Sequence, residues 1–168
     1  MGMRRPAALA LLAAVLAGCG GGVGPDVPEG YATYRVEGVA LRHPAGWTAE
    51  RAAAQRDRPG TTIVLRPAGA NPDAPGPDAT LTIETRRRGV AEEVRAARTA
   101  FGGRAQRLSV EIPGADDAGG VKASSKDEAS AAFVAAAQGD RLVRVLARAP
   151  AGTKGVDVEA IAGSLRLR

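Results

Sequence analysis

The sequence predicts an α+β fold in which helices pack on the faces of a largely antiparallel β-sheet. Segments of alternating polarity recur along the chain, as in Thr80–Arg86, where Leu81 and Ile83 would face inward. Most of these segments are joined by short turns, which favour antiparallel neighbours. Two stretches, Val90–Phe101 and Val158–Leu165, instead repeat apolar residues at helical spacing. Strands and helices in this order are typical of an α+β domain.

The strand pattern divides the chain into short segments separated by glycine and proline turns. Gly139 and Asp140 form a two-residue turn between the last two segments and predict a hairpin. Ala49–Gln55 predicts a short helical turn, and Pro113–Gly120 a loop. The predicted strands are 33–37, 39–43, 61–66, 80–86, 107–112, 121–127, 131–138 and 141–149.

Both predicted helices have recognisable ends. In the first helix, Glu92 and Glu93 lie in the first turn, where the helix dipole favours negative charge. Gly102 and Gly103 end it. In the second helix, Asp157 is the predicted N-cap, since its carboxylate can accept a hydrogen bond from the first turn.

The first residues have the layout of a secretory signal. Arg4 and Arg5 precede an apolar run, Ala7–Ala17, which is too short to cross a membrane as a permanent helix. The following Leu16–Cys19 (Leu-Ala-Gly-Cys) resembles the lipobox of bacterial lipoproteins, in which the cysteine thiol is lipidated. The alternative is an ordinary signal peptide with an incidental cysteine.

This layout predicts three parts. Residues 1–18 would be the signal peptide, and residues 19–30 the lipidated Cys19 with a flexible tether rich in glycine and proline. Residues 31–168 would be one globular α+β domain. Fully extended, the tether reaches about 36 Å, so the domain would stay close to the membrane.

Composition argues against nucleic-acid binding and excludes an intrachain disulfide. The chain carries a net charge of +5, and loss of Arg4 and Arg5 leaves an excess of three basic residues without a concentrated basic patch. Together with the small number of aromatic residues, this argues against nucleic-acid binding. Cys19 is the single cysteine, so the chain cannot form an intrachain disulfide.

The segment Val39–Trp47, which ends in Pro44-Ala45-Gly46-Trp47, resembles the opening of PsbP-like domains. The end of the chain, Ser164–Leu167, fits the same pattern. The resemblance implies an α/β/α sandwich around an antiparallel sheet, and such domains occur as secreted lipoproteins in actinobacteria. It also implies an accessory or binding role, and it brings no set of catalytic residues to carry over.

His43 is the only histidine, and it shares a strand face with Val39 and Leu41, so it is predicted to be a buried structural residue. One imidazole provides too few ligands for a typical zinc site. A hydrolase would need a serine beside it, but no serine lies in a Gly-x-Ser-x-Gly elbow. The serines of the sequence are Ser109, Ser124, Ser125, Ser130 and Ser164.

The remaining charged groups are predicted to be solvated. Asp116-Asp117 and Asp127-Glu128 lack the ligand order of a calcium loop. Arg86–Arg88 could contact anionic lipid headgroups, although three arginines at a turn are more often solvated. Trp47 is expected in the core, as the largest apolar side chain of the sequence. We therefore expect no catalytic, cofactor or metal site, and lipidation at Cys19.

The sequence thus predicts a non-enzymatic lipoprotein on the extracytoplasmic face of the cell membrane. Its domain would be an interaction module for an envelope protein. The alternative is a carrier of a small molecule or lipid, such as a small apolar ligand held between helix and sheet. A hydrolase is the remote alternative.

Overall fold

A computed structural model describes residues 27–53, 60–125 and 128–168. Its helices are α1 (Val90–Phe101) and α2 (Val158–Gly163), and a short 3-10 turn, Gly102–Arg104, follows α1. The strands are β1 (Tyr31–Val36), β2 (Val39–Pro44), β3 (Trp47–Arg51), β4 (Gly60–Pro67), β5 (Asp78–Thr85), β6 (Gln106–Leu108), β7 (Asp117–Ser125), β8 (Glu128–Gln138), β9 (Arg141–Ala149) and β10 (Arg166–Leu167).

The described strands form two sheets. The larger has seven strands in the order β3-β4-β5-β9-β8-β7-β6, and the smaller has three in the order β1-β2-β10. Neighbouring strands in both sheets run antiparallel. The predicted α+β fold with a largely antiparallel sheet is confirmed.

The β8–β9 hairpin forms the middle of the larger sheet. Gln138 pairs with Arg141 across the predicted two-residue turn, in which Gly139 has a φ of 58°. Both faces of β8 are buried. Ala132, Val134 and Ala136 belong to the main core on one face. Ala135 and Ala137 belong to a second cluster on the other face, as expected for side chains that alternate along a strand.

The two helices cover opposite faces of this hairpin. α1 spans the predicted residues and packs against β7 and β8, with Val90 in the second cluster. α2 packs against β8, β9 and β2, and its Ile161 lies in the main core. The predicted N-cap is confirmed, since the Asp157 carboxylate accepts a hydrogen bond from the Ala160 N–H at 2.9 Å. The sheet therefore lies between two helical layers, and β1, β2 and β10 share the α2 side.

Two predicted elements are wrong in part. The expected helical turn Ala49–Gln55 begins as the end of strand β3, where Ala49 pairs with Leu65, so sheet pairing overrides the helix propensity of alanine. Residues 54–55 lie outside the described residues. The expected strand 107–112 ends at Leu108. The buried Ile112 contacts the main core from an irregular segment, so its alternation with Leu108 does not mark a strand.

The predicted loop Pro113–Gly120 is also wrong in its second half, because β7 begins at Asp117. Two glycines in this strand permit close packing. A Cβ on Gly119 would lie 3.1 Å from Val94 Cγ2 of α1, and one on Gly120 would lie 2.9 Å from the Phe133 carbonyl oxygen. Strand β10 was not predicted. It consists of two residues, too few to produce a periodic pattern.

The turn at Gly114 provides a test of this packing. Gly114 has a φ of 85°, and an added Cβ would overlap the carbonyl oxygen of Leu167 in β10. We expect Gly114→Ala to lower the free energy of unfolding by about 3 kcal/mol, measured by urea denaturation. Gly152→Ala is the matched control, since Gly152 has a φ of 76° with no atom within 4 Å. It should cost about 1 kcal/mol. Equal losses would contradict the predicted overlap.

Candidate functional site

His43 lies at the end of β2 and is buried, as predicted. Its Nδ1 is 2.9 Å from the carbonyl oxygen of Pro44. Ser164 is buried on the same side of the fold. Its Oγ donates to the Ile161 carbonyl at 2.7 Å and accepts from the Arg42 N–H at 2.8 Å. Ser164 therefore joins the end of α2 to β2, which is a structural role, whereas the His43 contact is with the adjacent residue of its own strand.

Among the described residues, no serine forms a hydrogen bond with His43. Ser109 and Ser124 are exposed, and Ser130 is partly buried at the end of the sheet. Ser125 ends strand β7, and its side chain lies outside what the structure describes. Among the described residues, no group of three or more His, Cys, Asp or Glu side chains could hold a metal ion.

Asp116, the first residue of the acidic pair Asp116-Asp117, stabilises the hairpin. The Asp116 carboxylate accepts a hydrogen bond from the Gly139 N–H at 2.7 Å, and the Asp116 N–H donates to the Ala137 carbonyl at 2.8 Å. Asp127 lies outside the described residues, and Glu128 begins β8. Asp116 thus holds the β8–β9 turn, and Asp117 is an exposed residue at the start of β7.

The arginine run Arg86–Arg88 is exposed, and Arg88 forms a 3.9 Å ion pair with Glu92 across one helical turn. Trp47, expected in the core, is partly buried and packs against the edge of the main cluster. Cys19 lies outside the described residues, so its lipidation stays a prediction.

α1 covers only one half of its face of the larger sheet. The helix packs on β7 and β8, whereas β3, β4 and β5 lie further along the sheet. Cross-strand partners share a face, and the register joins Glu50 to Val64, Val64 to Thr80 and Thr80 to Leu146. We call this surface the open face. It consists of Thr48, Glu50, Thr62, Val64, Thr80, Thr82 and Leu146, all exposed or partly buried.

An ion-pair cluster separates the open face from α1. Arg144 of β9 contacts Glu84 of β5 at 2.8 Å and Glu93 of α1 at 3.1 Å. Its side chain is 19% exposed, and that of Glu93 is 10% exposed. The cluster joins the helix to the sheet at the point where apolar cover ends. The sequence showed Glu93 only as a residue suited to a helix N-terminus.

A cavity of about 450 Å³ lies at one end of the open face. The proline-rich loop Ala70–Pro77 forms one wall, and the adjoining ends of β4, β8 and β9 form the other. Arg66, Asp78 and Arg148 carry the charges in its lining. Hydrogen bonds from Arg148 to the Asp78 carboxylate raise the pKa of the arginine, although burial opposes this effect.

A second cavity of about 520 Å³ lies where the end of α1 meets β7, beside Phe101 and Ala123. It lies between helix and sheet, where the carrier alternative expects a ligand.

Among the described residues, no helix is both long enough and apolar enough to span a membrane.

The tether would join the domain at the cavity end of the sheet. The Gly30 carbonyl accepts a hydrogen bond from the Ala45 N–H at 2.8 Å, and the Gly46 carbonyl accepts one from the Ala68 N–H at 2.9 Å. Ala68 leads directly into the proline-rich loop. Tyr31, the next residue after Gly30, accepts a hydrogen bond from the Asp157 N–H at 3.0 Å, and burial raises the pKa of its hydroxyl.

The fold and the site define a small α+β domain with an open sheet face and a loop-covered cavity. Its structure is similar to the solution structure of cyanobacterial PsbP (CyanoP) from Synechocystis sp. PCC 6803, with 14% identity and a TM-score of 0.48 over 88% of this chain and 98% of that one. A crystal structure of a protein from Bacteroides thetaiotaomicron VPI-5482 is also similar, with 12% identity and a TM-score of 0.40, covering 78% and 45% of the two chains. No protein-family model matches the sequence. No curated protein matches it either.

The Arg144 cluster predicts a large effect from one substitution. Arg144→Met should lower the free energy of unfolding by about 3 kcal/mol, since it leaves two poorly solvated carboxylates without their cation. Arg51→Met is the control, because the Arg51–Glu37 pair is exposed at 64% and 44%. It should cost less than about 1 kcal/mol in the same urea titration.

Two further variants test whether the loss arises from charge. Adding Glu84→Gln and Glu93→Gln to Arg144→Met should recover part of the stability, since neutral amides are easier to bury than carboxylates. If Arg144→Met costs no more than Arg51→Met, the cluster does not hold α1 on the sheet.

Proposed function

We propose that this protein is a lipid-anchored, extracytoplasmic accessory module that binds an envelope protein and catalyses no reaction. Lipid on Cys19 would hold the domain at the extracytoplasmic face of the cell membrane. The open face would be the docking surface. The observation that carries the binding part of the proposal is the half of the sheet face that lies beyond α1.

The composition of the open face supports a protein partner. Val64 and Leu146 provide apolar area at its centre, separated by Thr80 in the cross-strand row. Threonines surround this row, and their hydroxyls can exchange hydrogen bonds with a partner as readily as with water. An apolar centre with a polar rim is the usual anatomy of a non-obligate interface.

The anchor would place this surface near membrane proteins. Leu16–Cys19 supports lipidation, and the tether allows a reach of about 36 Å from the membrane. An extended tether of this kind leaves the domain free to rotate. The open face could therefore contact the extracytoplasmic part of a membrane protein. Confinement near the membrane raises the effective concentration of such a partner and allows weak binding to suffice.

The anchor is tested by labelling. In cells fed radiolabelled palmitate, the Cys19→Ala variant should incorporate no label, because alanine has no thiol to form the thioether bond to lipid. Gly21→Ala is the matched control, since it lies in the tether and keeps the thiol; it should label like the wild type. Normal labelling of Cys19→Ala would show that the lipid is attached elsewhere.

The docking surface is tested by in-cell photocrosslinking. A photoreactive residue at Thr48, exposed on the open face, should capture one membrane protein several-fold more efficiently than the same residue at Thr33. Thr33 is the matched control because it is an exposed threonine on the smaller sheet. The capture should fall in the Cys19→Ala background, since the domain then has no lipid anchor to hold it in the plane of its partner.

Equal capture from Thr48 and Thr33 would contradict docking through the open face. Absence of a partner from both positions would contradict the interaction module and favour the carrier alternative, for which bound lipids could be extracted and identified.

A further inference from the structure

The cavity at the end of the open face contains an unusual arrangement of charge. Arg148 holds Asp78 through two hydrogen bonds, from Nε to Oδ1 at 2.9 Å and from an Nη to Oδ2 at 2.5 Å. This bidentate contact neutralises the carboxylate. The positive charge of Arg66 is therefore the net charge of the cavity.

Arg66 has a donor that the protein does not use. Its Nε is buried from solvent and has no hydrogen-bond partner among the described residues. Buried polar atoms are nearly always paired, so an orphaned donor at a cavity calls for an explanation. The shielded Nε is out of reach of an atom in the cavity, but the planar guanidinium also carries two Nη groups, which form no hydrogen bond with the described residues. An anion in the cavity would accept hydrogen bonds from these Nη groups and balance the charge of Arg66.

The rest of the lining suits the organic part of a ligand. Three prolines of the loop, Pro72, Pro75 and Pro77, face Pro150 and neighbouring alanines across the cavity. Proline rings and alanine methyl groups provide apolar contact. Ser130 also lines the cavity and carries a hydroxyl suited to a polar substituent. A volume of about 450 Å³ falls within the range of small-molecule sites.

We propose that this cavity binds a small organic anion, whose phosphate or carboxylate group accepts hydrogen bonds from Arg66 and whose apolar part lies against the prolines. The site does not depend on the proposed protein partner. It also differs in chemistry from an apolar ligand held between helix and sheet.

An anion of this kind could reach the cavity from either of two sources. The anion could be a free small molecule or the headgroup of an anionic phospholipid, because the tether joins the domain at the same end as the cavity. The shared chemistry is an oxyanion on an apolar body.

The test uses the full-length chain in phosphatidylcholine nanodiscs and phenyl phosphate as the probe. Saturation-transfer NMR on the ring protons should show binding, and the neutral benzyl alcohol should give a much weaker signal. Arg66→Met should weaken phenyl phosphate binding about tenfold or more, because it removes the charge and both donors. Arg107→Gln, an exposed arginine in β6 at the far edge of the sheet, should bind like the wild type.

Two controls separate binding from folding and from charge alone. The thermal unfolding midpoint of Arg66→Met without probe should equal or exceed that of the wild type, since an unpaired buried donor is removed. Arg66→Lys keeps the charge and lacks the planar fork, so its affinity should fall between the other two. Wild-type affinity in Arg66→Lys would overturn the proposed geometry.

The source of the anion is identified by adding phosphatidylglycerol to the nanodiscs. If the headgroup occupies the cavity, phenyl phosphate binding should fall in these discs. Unchanged binding would assign the site to a free anion. Either result supports the proposal. Absence of phenyl phosphate binding in phosphatidylcholine discs, or equal binding of benzyl alcohol, would overturn it.

Discussion

The two-sided burial of the β8–β9 hairpin is the constraint on which the rest of the structure depends. Helices lie on both faces of the hairpin, so the side chains that they cover are apolar, and β8 is built largely from alanine. Short side chains allow the helical layers to approach closely, and Gly119 in β7 extends this close contact with α1. Where the cover by α1 ends, Arg144 is paired with carboxylates, because a lone charge there would be poorly solvated.

Much of the fold could be predicted because its signals are local. The α1 helix follows from apolar spacing over Val90–Phe101, and the central hairpin follows from a two-residue turn between alternating segments. The errors occur where long-range contacts override local preference. Gly119 and Gly120 suggested a loop, yet both lie in β7, where a Cβ on Gly120 would overlap the β8 backbone and one on Gly119 would press tightly against Val94 of α1. At Ala49, pairing with β4 outweighs the helix propensity of alanine.

The candidate site was much less predictable. Arg66 is an ordinary arginine at the end of a strand, and its unpaired Nε results from the folding of residues distant in sequence around it. The same is true of Arg148, whose partner Asp78 lies in a strand that neighbours β9 only in the folded sheet. By contrast, the burial of His43 could be inferred from the strand face it shares with Leu41.

With the proposed anchor on Cys19, the fold would place the cavity and Arg86–Arg88 at different distances from the membrane. β5 begins at Asp78 beside the cavity and ends at Thr85 just before Arg86–Arg88, roughly 25 Å away along the strand. The chain enters the domain at Gly30, which is hydrogen-bonded at the cavity end. A taut tether would therefore turn the cavity towards the bilayer and Arg86–Arg88 away from it. Arg66, whose guanidinium has no partner among the described residues, would then lie closer to lipid headgroups than the denser arginine run.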